Sequence, residues 1–235
     1  MAASPAPPRA LDLAFEGADV LRARAFDDTF FQTGDPWGET WHVFVEANRL
    51  PQRFSTLPPG AVFTICETGF GTGLSALSAM EAWDAFAPAG AELRFESLDA
   101  HPLDAATASR AVAATDAPKG AAARLFDVWD DIWRDGARPR PGITVRAIED
   151  DVLAALPRLP VADAWFLDGF APSRNPAMWS QAVMAGVADR SRAGTTAATF
   201  TAAGWVRRNL ADAGFTVERV AGFGAKRHMS VARMA

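Results

Sequence analysis

Apolar residues change their spacing along the chain near residue 60. Beyond it, short continuous apolar runs, typical of buried strands, alternate with stretches in which apolar residues recur every three or four positions, as on one face of a helix. The runs that predict strands are 61–67, 93–99, 143–149, 162–169 and 195–201. The stretches that predict helices are 74–86, 101–114, 125–133, 150–156, 176–192 and 202–214. This alternation predicts a doubly wound α/β sheet with mostly parallel strands.

Two further strand-like runs, 215–221 and 229–234, follow the last predicted helix. The segment between them is too short for a helical crossover, so we expect the two strands to be antiparallel. The last strand then runs against the rest of the sheet. Ligands of such sheets bind at the carboxyl ends of the strands, so candidate site residues are sought at those ends.

The first 60 residues follow a different pattern. We expect residues 1–10, rich in Ala and Pro, to form a disordered leader. Residues 11–60 are rich in aromatic residues, and short strand-like pieces such as HVFVEA (42–47) predict a small N-terminal extension with hairpins. The breaker sequence STLPPG (55–60) ends this extension, and residues 61–235 form the predicted α/β domain.

Composition argues against several classes of protein. The chain has 235 residues, 49% of them hydrophobic, which is enough for one domain with a sizeable core. No apolar run approaches the roughly 18 residues that span a bilayer, and the N-terminus lacks the pattern of a secretory signal. Cys66 is the single cysteine, which excludes an intrachain disulfide, and with only three histidines we expect no metal site. These features predict a cytoplasmic protein without membrane association.

Charge is distributed unevenly along the chain. Residues 204–235 contain six basic and two acidic residues, so this tail carries +4 in a chain whose net charge is −5. A basic tail on an acidic body predicts either a local phosphate-binding face or an ordinary solvated surface, and both interpretations stay open at this point.

A glycine-rich loop follows the first strand of the predicted sheet, in the sequence TICETGFGTGLS (64–75). Gly69 and Gly71 fit a dinucleotide fingerprint, but its sixth position is Leu74, and no Lys-Ser/Thr pair follows to make a P-loop. A carboxylate at Glu67 is expected to repel phosphate and to attract a cation, at a cost or gain of about 1–4 kcal/mol. The loop therefore favours S-adenosylmethionine, which carries a sulfonium and an ammonium but no phosphate.

Two more acidic residues follow the next strands. Asp99 ends the second strand of the predicted sheet, where it could accept hydrogen bonds from ribose hydroxyls, and Asp150 ends the third, where it could accept from an adenine amino group. Each could instead cap the helix that follows. Their succession across adjacent strand ends favours the cofactor interpretation.

The fourth strand ends in the sequence DAWFLDGFAPSRNPAMW (163–179). Asp168 is placed to orient an amine and to stabilise the ammonium that forms when nitrogen is methylated. Gly169 permits a tight turn, and Phe170 can form the wall of a pocket. The alternative is that Asp168 only caps the next helix.

Five segments resemble the methyltransferase domain of MnmC, a bifunctional enzyme that modifies the wobble uridine of tRNA. They are FDDTFF (26–31), ETWHVFVEANRL (39–50), ETGFGTGLS (67–75), DAWFLDGFAPSRNPAMW (163–179) and TFTAAGWVRRNLADAGFTVERVAGFGAKRHM (199–229). The resemblance implies a class I, Rossmann-like methyltransferase that uses S-adenosylmethionine. It implies methylation of 5-aminomethyl-2-thiouridine to 5-methylaminomethyl-2-thiouridine. The chain stops soon after these segments, so we expect neither the FAD-dependent domain of MnmC nor FAD.

The resemblance also assigns residues. Asp168 is the expected catalytic residue. The expected cofactor-binding residues are Phe31, Glu67, Gly69, Phe70, Gly71, Gly73, Asp99 and Asp150. The expected substrate-binding residues are Phe170, Asn175, Arg207, Lys226 and Arg227; the basic ones follow from the charge of the tail and not from the resemblance, and we expect them to meet phosphates of the anticodon stem-loop. Ser75 and His42 depart from the family pattern, which has Asn and Tyr there.

Two other functions remain open from sequence. The same fold and cofactor could serve a small amine instead of tRNA, although the basic tail and the long family match argue against that substrate. The chain could also be a non-catalytic RNA-binding module with a degenerate pocket, but Asp168 and the intact glycine loop argue against it.

Overall fold

The computed structural model describes residues 11–17, 20–31 and 34–235. The leader predicted over residues 1–10 lies outside them. Within these ranges, none of the helices combines the length and the apolarity that crossing a bilayer requires.

The N-terminal extension contains a small sheet and a helical arm. Strands β1 (Leu13–Glu16), β2 (Val20–Ala23) and β3 (Asp28–Thr29) pair antiparallel. Helix α1 (Pro36–Thr40), a π-helical turn (Trp41–Glu46) and α2 (Leu50–Ser55) follow. The strand predicted over residues 42–47 is therefore wrong, because so short an apolar run fits a buried helical turn equally well. The hairpin lies earlier in the chain.

The main sheet has eight strands among the described residues: β4 (Val62–Thr68), β5 (Glu92–Asp99), β6 (Ala137–Arg140), β7 (Ile143–Glu149), β8 (Ala164–Leu167), β9 (Thr196–Thr199), β10 (Phe215–Ala221) and β11 (His228–Met234). Their order is β10-β11-β9-β8-β4-β5-β7-β6. The last strand, β11, runs antiparallel to β9, as the short connection predicts. A second antiparallel strand, β6, lies at the other edge and was not predicted.

Helices cover both faces of this sheet: α3 (Leu74–Phe86), α4 (Ala105–Ala113), α5 (Lys119–Phe126), α6 (Trp129–Arg134), α7 (Val152–Ala155), α8 (Gln181–Asp189) and α9 (Gly204–Asp212). Five of the six predicted helices are shorter than expected or divided. The one predicted over 101–114 starts only after Asp104, whose carboxylate accepts the Thr107 N–H at 2.9 Å. The stretch 125–133 is split between two helices, and residues 176–192 are divided by the Ser180 cap.

Two apolar clusters form the core, one on each face of the sheet. The extension packs on one face, where Phe44 stacks on Phe166 with ring centroids 4.9 Å apart. Asn48, fully buried, donates from its amide to the Trp165 carbonyl at 3.3 Å. These contacts hold the extension beside the carboxyl ends of the central strands.

Candidate active site

The strand order reverses between β4 and β8, which lie side by side and parallel at the centre of the sheet. The glycine loop follows β4, Asp99 ends β5, and Asp168 follows β8. Parallel strands end at the same edge of a sheet, so these three elements meet there. The crevice at such a reversal is where ligands bind in doubly wound sheets.

The glycine loop needs glycine for conformation and for space. Gly69, Gly71 and Gly73 have φ of +86°, +52° and +77°, in the left-handed region that glycine tolerates best. A Cβ on Gly69 would lie 3.2 Å from the Cα of Gly169. The loop is thus pressed against the turn that carries Asp168.

The backbone N–H groups of the three loop glycines already have acceptors within the protein. The N–H of Gly69 donates to the Leu98 carbonyl at 2.8 Å, and that of Gly73 to the Phe70 carbonyl at 2.9 Å. Gly71 donates to the Asp99 carboxylate at 3.0 Å. A phosphate cradle requires free N–H groups at such a loop, so this arrangement does not suit a phosphate.

A first compartment opens between the loop and the Asp168 turn. Among the described residues, its walls include Gly69, Phe70, Gly71, Asp99, Phe31, Asp168 and Phe170, with Thr29, Phe30, Ser75 and His101. The carboxylates that line it are Asp99 and Asp168, and the described lining contains neither Lys nor Arg. This charge suits a cation such as a sulfonium.

Glu67 does not face this compartment, which corrects the electrostatic argument from sequence. It is 0% exposed, and its two oxygens accept hydrogen bonds from the hydroxyls of Ser75 and Ser97. Burial raises the pKa of Glu67 well above its ordinary value, and the hydrogen bonds from the two serine hydroxyls oppose that rise. The negative charge toward a ligand comes from Asp99 and Asp168 instead.

Asp99 both lines the first compartment and organises it. Its Oδ1 accepts the His101 N–H at 2.8 Å, and its Oδ2 accepts the Gly71 N–H. Burial raises the pKa of Asp99, and these backbone hydrogen bonds oppose the rise. The carboxylate therefore joins the loop after β4 to the turn after β5, and its remaining lone pairs are available for ligand hydroxyls.

Asp168 is held by backbone contacts on both sides. The Thr68 hydroxyl donates to the Asp168 carbonyl at 2.9 Å, and its oxygen accepts the Asp168 backbone N–H at 3.1 Å. The Gly169 N–H donates to Oδ1 at 2.8 Å. Burial raises the pKa of Asp168 to about 7, with a further upward contribution from Glu39 and a downward one from Lys226.

A second compartment of about 570 Å³ adjoins the first. The two share Thr29, Phe30, Phe31, Thr40, Asp168 and Gly169. The second is completed among the described residues by Asp28, Pro36, Glu39, Val43, Phe44, Ala171, Phe200 and Lys226. Asp168 therefore stands where two adjacent spaces meet, a geometry that brings two ligands together at one carboxylate.

An aromatic group borders the two compartments. The Phe170 ring stacks on Phe26 with centroids 4.4 Å apart and meets Phe30 edge-on at 5.4 Å. Phe70 lines the first compartment, but its side chain is 2% exposed and packs on Trp129 and Trp133. Phe70 thus supports the loop from below.

The other residues predicted for the site, all in the described part of the chain, line neither compartment: Glu67, Gly73, Asp150, Asn175, Arg207 and Arg227. Gly73 begins helix α3 and packs against Trp129. Asp150 lies beside Asp99 through a backbone hydrogen bond of 3.3 Å, but its carboxylate pairs with Arg158 at 2.6 Å. Arg227 is exposed on the loop before β11.

Sequence reasoning missed the contribution of the N-terminal extension. Thr29, Phe30 and Glu39 line the compartments, yet they belong to segments quoted only for family resemblance. It also missed His101, which is 8% exposed, lines the first compartment, and has a buried Nδ1 without a partner in the described structure. Its position two residues after Asp99 is the signal that could have identified it.

No cluster of three or more potential metal ligands occurs within residues 11–17, 20–31 and 34–235.

Sequence comparisons with named proteins identify the chain as a methyltransferase. Residues 137–235 match a family model described as S-adenosyl-L-methionine-dependent methyltransferase, the same cofactor that the sequence predicts. The chain is 44% identical over 209 residues to the tRNA 5-methylaminomethyl-2-thiouridine biosynthesis bifunctional protein MnmC of Chromobacterium violaceum, covering 87% of this chain and 32% of that protein. The MnmC protein of Chromohalobacter salexigens is 42% identical over 229 residues, covering 95% and 32%. The chain thus spans about a third of the length of these curated relatives.

The fold has a close solved counterpart. The crystal structure of MNMC2 from Aquifex aeolicus superimposes with a TM-score of 0.78 at 18% identity, covering 97% of this chain and 72% of that one. The predicted class I methyltransferase fold is thereby confirmed.

Proposed function

The chain belongs to the same family as the matching third of the MnmC proteins, and on that premise we propose that it methylates the aminomethyl nitrogen of 5-aminomethyl-2-thiouridine at the tRNA wobble position. The methyl donor is S-adenosyl-L-methionine, and the product is 5-methylaminomethyl-2-thiouridine. The observation that carries the proposal is the position of Asp168 at the junction of two compartments.

In this proposal the first compartment holds the cofactor. Its walls fit the group because they are acidic, partly aromatic and formed in part by Gly69 and Gly71, where the backbone itself faces the compartment without a side chain. Gly69 and Gly71 let the methionine part lie against the loop, and Asp99 accepts from the ribose. Phe31 and Phe170 supply apolar contact. When bound, S-adenosylmethionine supplies an electrophilic methyl group.

Asp168 orients the amine from the second compartment. Its Oδ1 is engaged by Gly169, so Oδ2 is the atom that accepts an amine N–H. The carboxylate also stabilises the positive charge that nitrogen gains when its lone pair forms the new N–C bond. Thr68 keeps Asp168 in place through its two backbone contacts.

The anticodon stem-loop is the proposed partner. Arg207, Arg227 and Asn175, which line neither compartment, are proposed to contact its backbone, and Phe170, which borders the junction of the compartments, to contact the wobble nucleotide. Phosphate contacts position the nucleic acid, whereas the compartment at Asp168 selects the modified base. The acidic balance of the chain means that binding rests on a local basic patch.

Methylation of a small amine is the second candidate. It is favoured by one observation: the side chain of Lys226, one of the expected phosphate contacts, is paired with Glu39 at 2.6 Å within the protein. The nature of the amine therefore has to be tested directly.

The deciding experiment incubates the protein with methyl-labelled S-adenosylmethionine and tRNA from cells that lack the methyltransferase. Nucleoside analysis is expected to show label in 5-methylaminomethyl-2-thiouridine. Asp168→Asn, expected to be slower by roughly 10²-fold, serves as the matched slow control. Label absent from tRNA but present in a small amine mixture would replace the proposal by the second candidate.

A further inference from the structure

The second compartment has an unbalanced set of charges. The acidic residues Asp28, Glu39 and Asp168 line it, and Lys226 is the single cation among its described lining residues. Asp28 is occupied locally, since one oxygen accepts the Ala171 N–H at 2.8 Å and the other the Thr29 N–H at 2.9 Å. Among the described hydrogen bonds, Glu39 and Asp168 differ from Asp28 in that each keeps one oxygen to which no backbone N–H donates, so these two carboxylates are the ones considered for a charged ligand.

Glu39 and Lys226 form an ion pair across the mouth of this compartment. Lys226 Nζ donates to Glu39 Oε1 at 2.6 Å, and their side chains are 32% and 16% exposed. Glu39 belongs to α1, whereas Lys226 belongs to the loop between β10 and β11. Lys226 Nζ also lies 5.2 Å from the centroid of the Phe200 ring. An ammonium group thus already lies between a carboxylate and an aromatic face.

We propose that Glu39 is a second carboxylate of the substrate site, which together with Asp168 binds a primary alkylamine as it arrives in its ammonium form, and that Lys226 neutralises Glu39 until that amine arrives. Before methyl transfer the bound ammonium releases one proton to solvent, which frees the nitrogen lone pair for the attack. This inference rests on the proposed function, because it concerns how the same site recognises its substrate. Lys226 is then a positioning residue exchanged for the ligand, not a phosphate contact.

The exchange follows from the chemistry of the groups. A primary alkylammonium and the Lys226 side chain carry the same charge and the same three donors, so one can replace the other at Glu39. A half-buried carboxylate without a cation beside it lowers the stability of the folded protein. This cost explains why Lys226 pairs with Glu39 when no amine is bound. Lys226 lies in a loop, where a side chain can turn toward solvent without disturbing the sheet.

Two stem-loop oligonucleotides separate the possibilities. One carries 5-aminomethyluridine at the wobble position, and the other carries the neutral 5-acetamidomethyl analogue. Dissociation constants are measured by calorimetry in the presence of S-adenosylhomocysteine. The variants are Glu39→Gln and Lys226→Met, with Glu46→Gln and Lys119→Met as charge-matched controls. Glu46 lies on the same helical arm and outside the compartment lining, and Lys119 is the only other lysine in the chain.

The expected pattern is selective. The wild-type protein and both controls prefer the aminomethyl oligonucleotide, and Glu39→Gln loses roughly 10- to 100-fold of that preference while the neutral analogue binds as before. Lys226→Met keeps the preference or increases it, because the internal competitor has been removed. A thermodynamic cycle combines the Glu39→Gln change in the protein with the change from the aminomethyl to the acetamidomethyl oligonucleotide. The cycle separates the Glu39–amine contact from general effects of the variant on folding.

The pH profile of kcat/KM is a second measurement. It would not change if Glu39 and Lys226 served only the stability of the fold. The charged groups facing Asp168 are Glu39 from α1, Lys226 from the hairpin loop, Asp99 from β5 and the buried Glu67 from β4. Removing the Glu39 charge is expected to shift the acidic limb to lower pH, and removing the Lys226 charge to shift it to higher pH.

Three outcomes overturn the inference. Glu39→Gln with wild-type preference shows that Glu39 does not meet the amine, even though methyl transfer by the wild-type protein would leave the proposed function standing. Lys226→Met that weakens both oligonucleotides equally and flattens the salt dependence assigns Lys226 to phosphate. A wild-type protein that neither prefers nor methylates the aminomethyl oligonucleotide removes the proposed function together with the inference.

Discussion

Replacing Asp168 by Asn tests the centre of the proposed reaction with little change of shape. The amide oxygen can still accept the Gly169 N–H that Oδ1 now accepts at 2.8 Å. The backbone contacts of Asp168 to Thr68 do not involve its side chain, so they remain. The perturbation is therefore the loss of one negative charge beside the reacting nitrogen.

The size of the effect follows from electrostatics. A carboxylate and a nascent ammonium about 4 Å apart attract by about 4 kcal/mol at an effective dielectric constant of about 20. The amide recovers about 1 kcal/mol through a neutral hydrogen bond. The remaining loss of about 3 kcal/mol in transition-state stabilisation corresponds to a roughly 10²-fold lower rate.

The pH dependence sharpens this test. The pKa of Asp168 is about 7, so roughly a tenth of it is ionised at pH 6 and roughly nine tenths at pH 8. The ratio of wild-type to variant kcat/KM should therefore rise about tenfold between these pH values. The substrate amine titrates equally in both assays, so its contribution cancels in the ratio.

Stability supplies the control. The carboxyl group ionises near 3.8 in the unfolded chain but near 7 in the folded protein, so the free energy of unfolding of the wild-type protein falls as pH rises through this window and stays reduced above it. Asn does not titrate, so the variant should melt at least as high as the wild-type protein at pH 8. An unchanged rate at saturating cofactor, or a rate ratio that does not vary with pH, refutes the role assigned to Asp168.

Three further predictions address the loop, the positioning hydroxyl and the tRNA. Gly69→Ala should lower both the affinity for S-adenosylhomocysteine and the melting temperature. The control Gly60→Ala shares a positive φ, but its Cβ would have no atom within 4 Å, so it should cost only the backbone strain of about 1–2 kcal/mol. Equal cofactor affinity in the two variants would contradict the close packing of the loop against the Asp168 turn. Thr68→Val should reduce kcat about tenfold while calorimetry shows unchanged S-adenosylhomocysteine binding, because the hydroxyl fixes the Asp168 backbone; an unchanged kcat contradicts this role. Arg227→Ala should make the salt dependence of tRNA binding shallower by about one unit and leave cofactor affinity alone; an unchanged slope places the phosphate contacts elsewhere.

The parts of the site that were predictable from sequence lie at strand ends. A buried strand followed by glycines is a local pattern, and so is an acidic residue directly after a strand. For this reason Gly69, Gly71, Asp99 and Asp168 could be placed at one edge of the sheet before its strand order was known. Asp150 satisfied the same local rule, but its carboxylate turns to Arg158, and a strand end alone does not determine such a choice.

The unpredictable parts depend on contacts between distant segments. Lys226 lies 187 positions from Glu39, and nothing near either residue in the chain indicates their pairing. The surroundings of Glu67 likewise come partly from Ser97 on the neighbouring strand, 30 positions away. The sequence shows an acidic residue two positions before the glycine loop. That Glu67 is buried follows only from the packing of β4 against β5.

The division of the cleft has a consequence for how such proteins diversify. Half of the described lining of the first compartment comes from the stretch 69–101, whereas the described lining of the second takes nothing from that stretch and comes from the pieces 28–44, 168–171, Phe200 and Lys226. Mutations in the separate pieces can thus change which amine is accepted while the stretch for the methyl donor is inherited intact. Engineering a new acceptor should start from residues 36–44 and leave the glycine loop untouched.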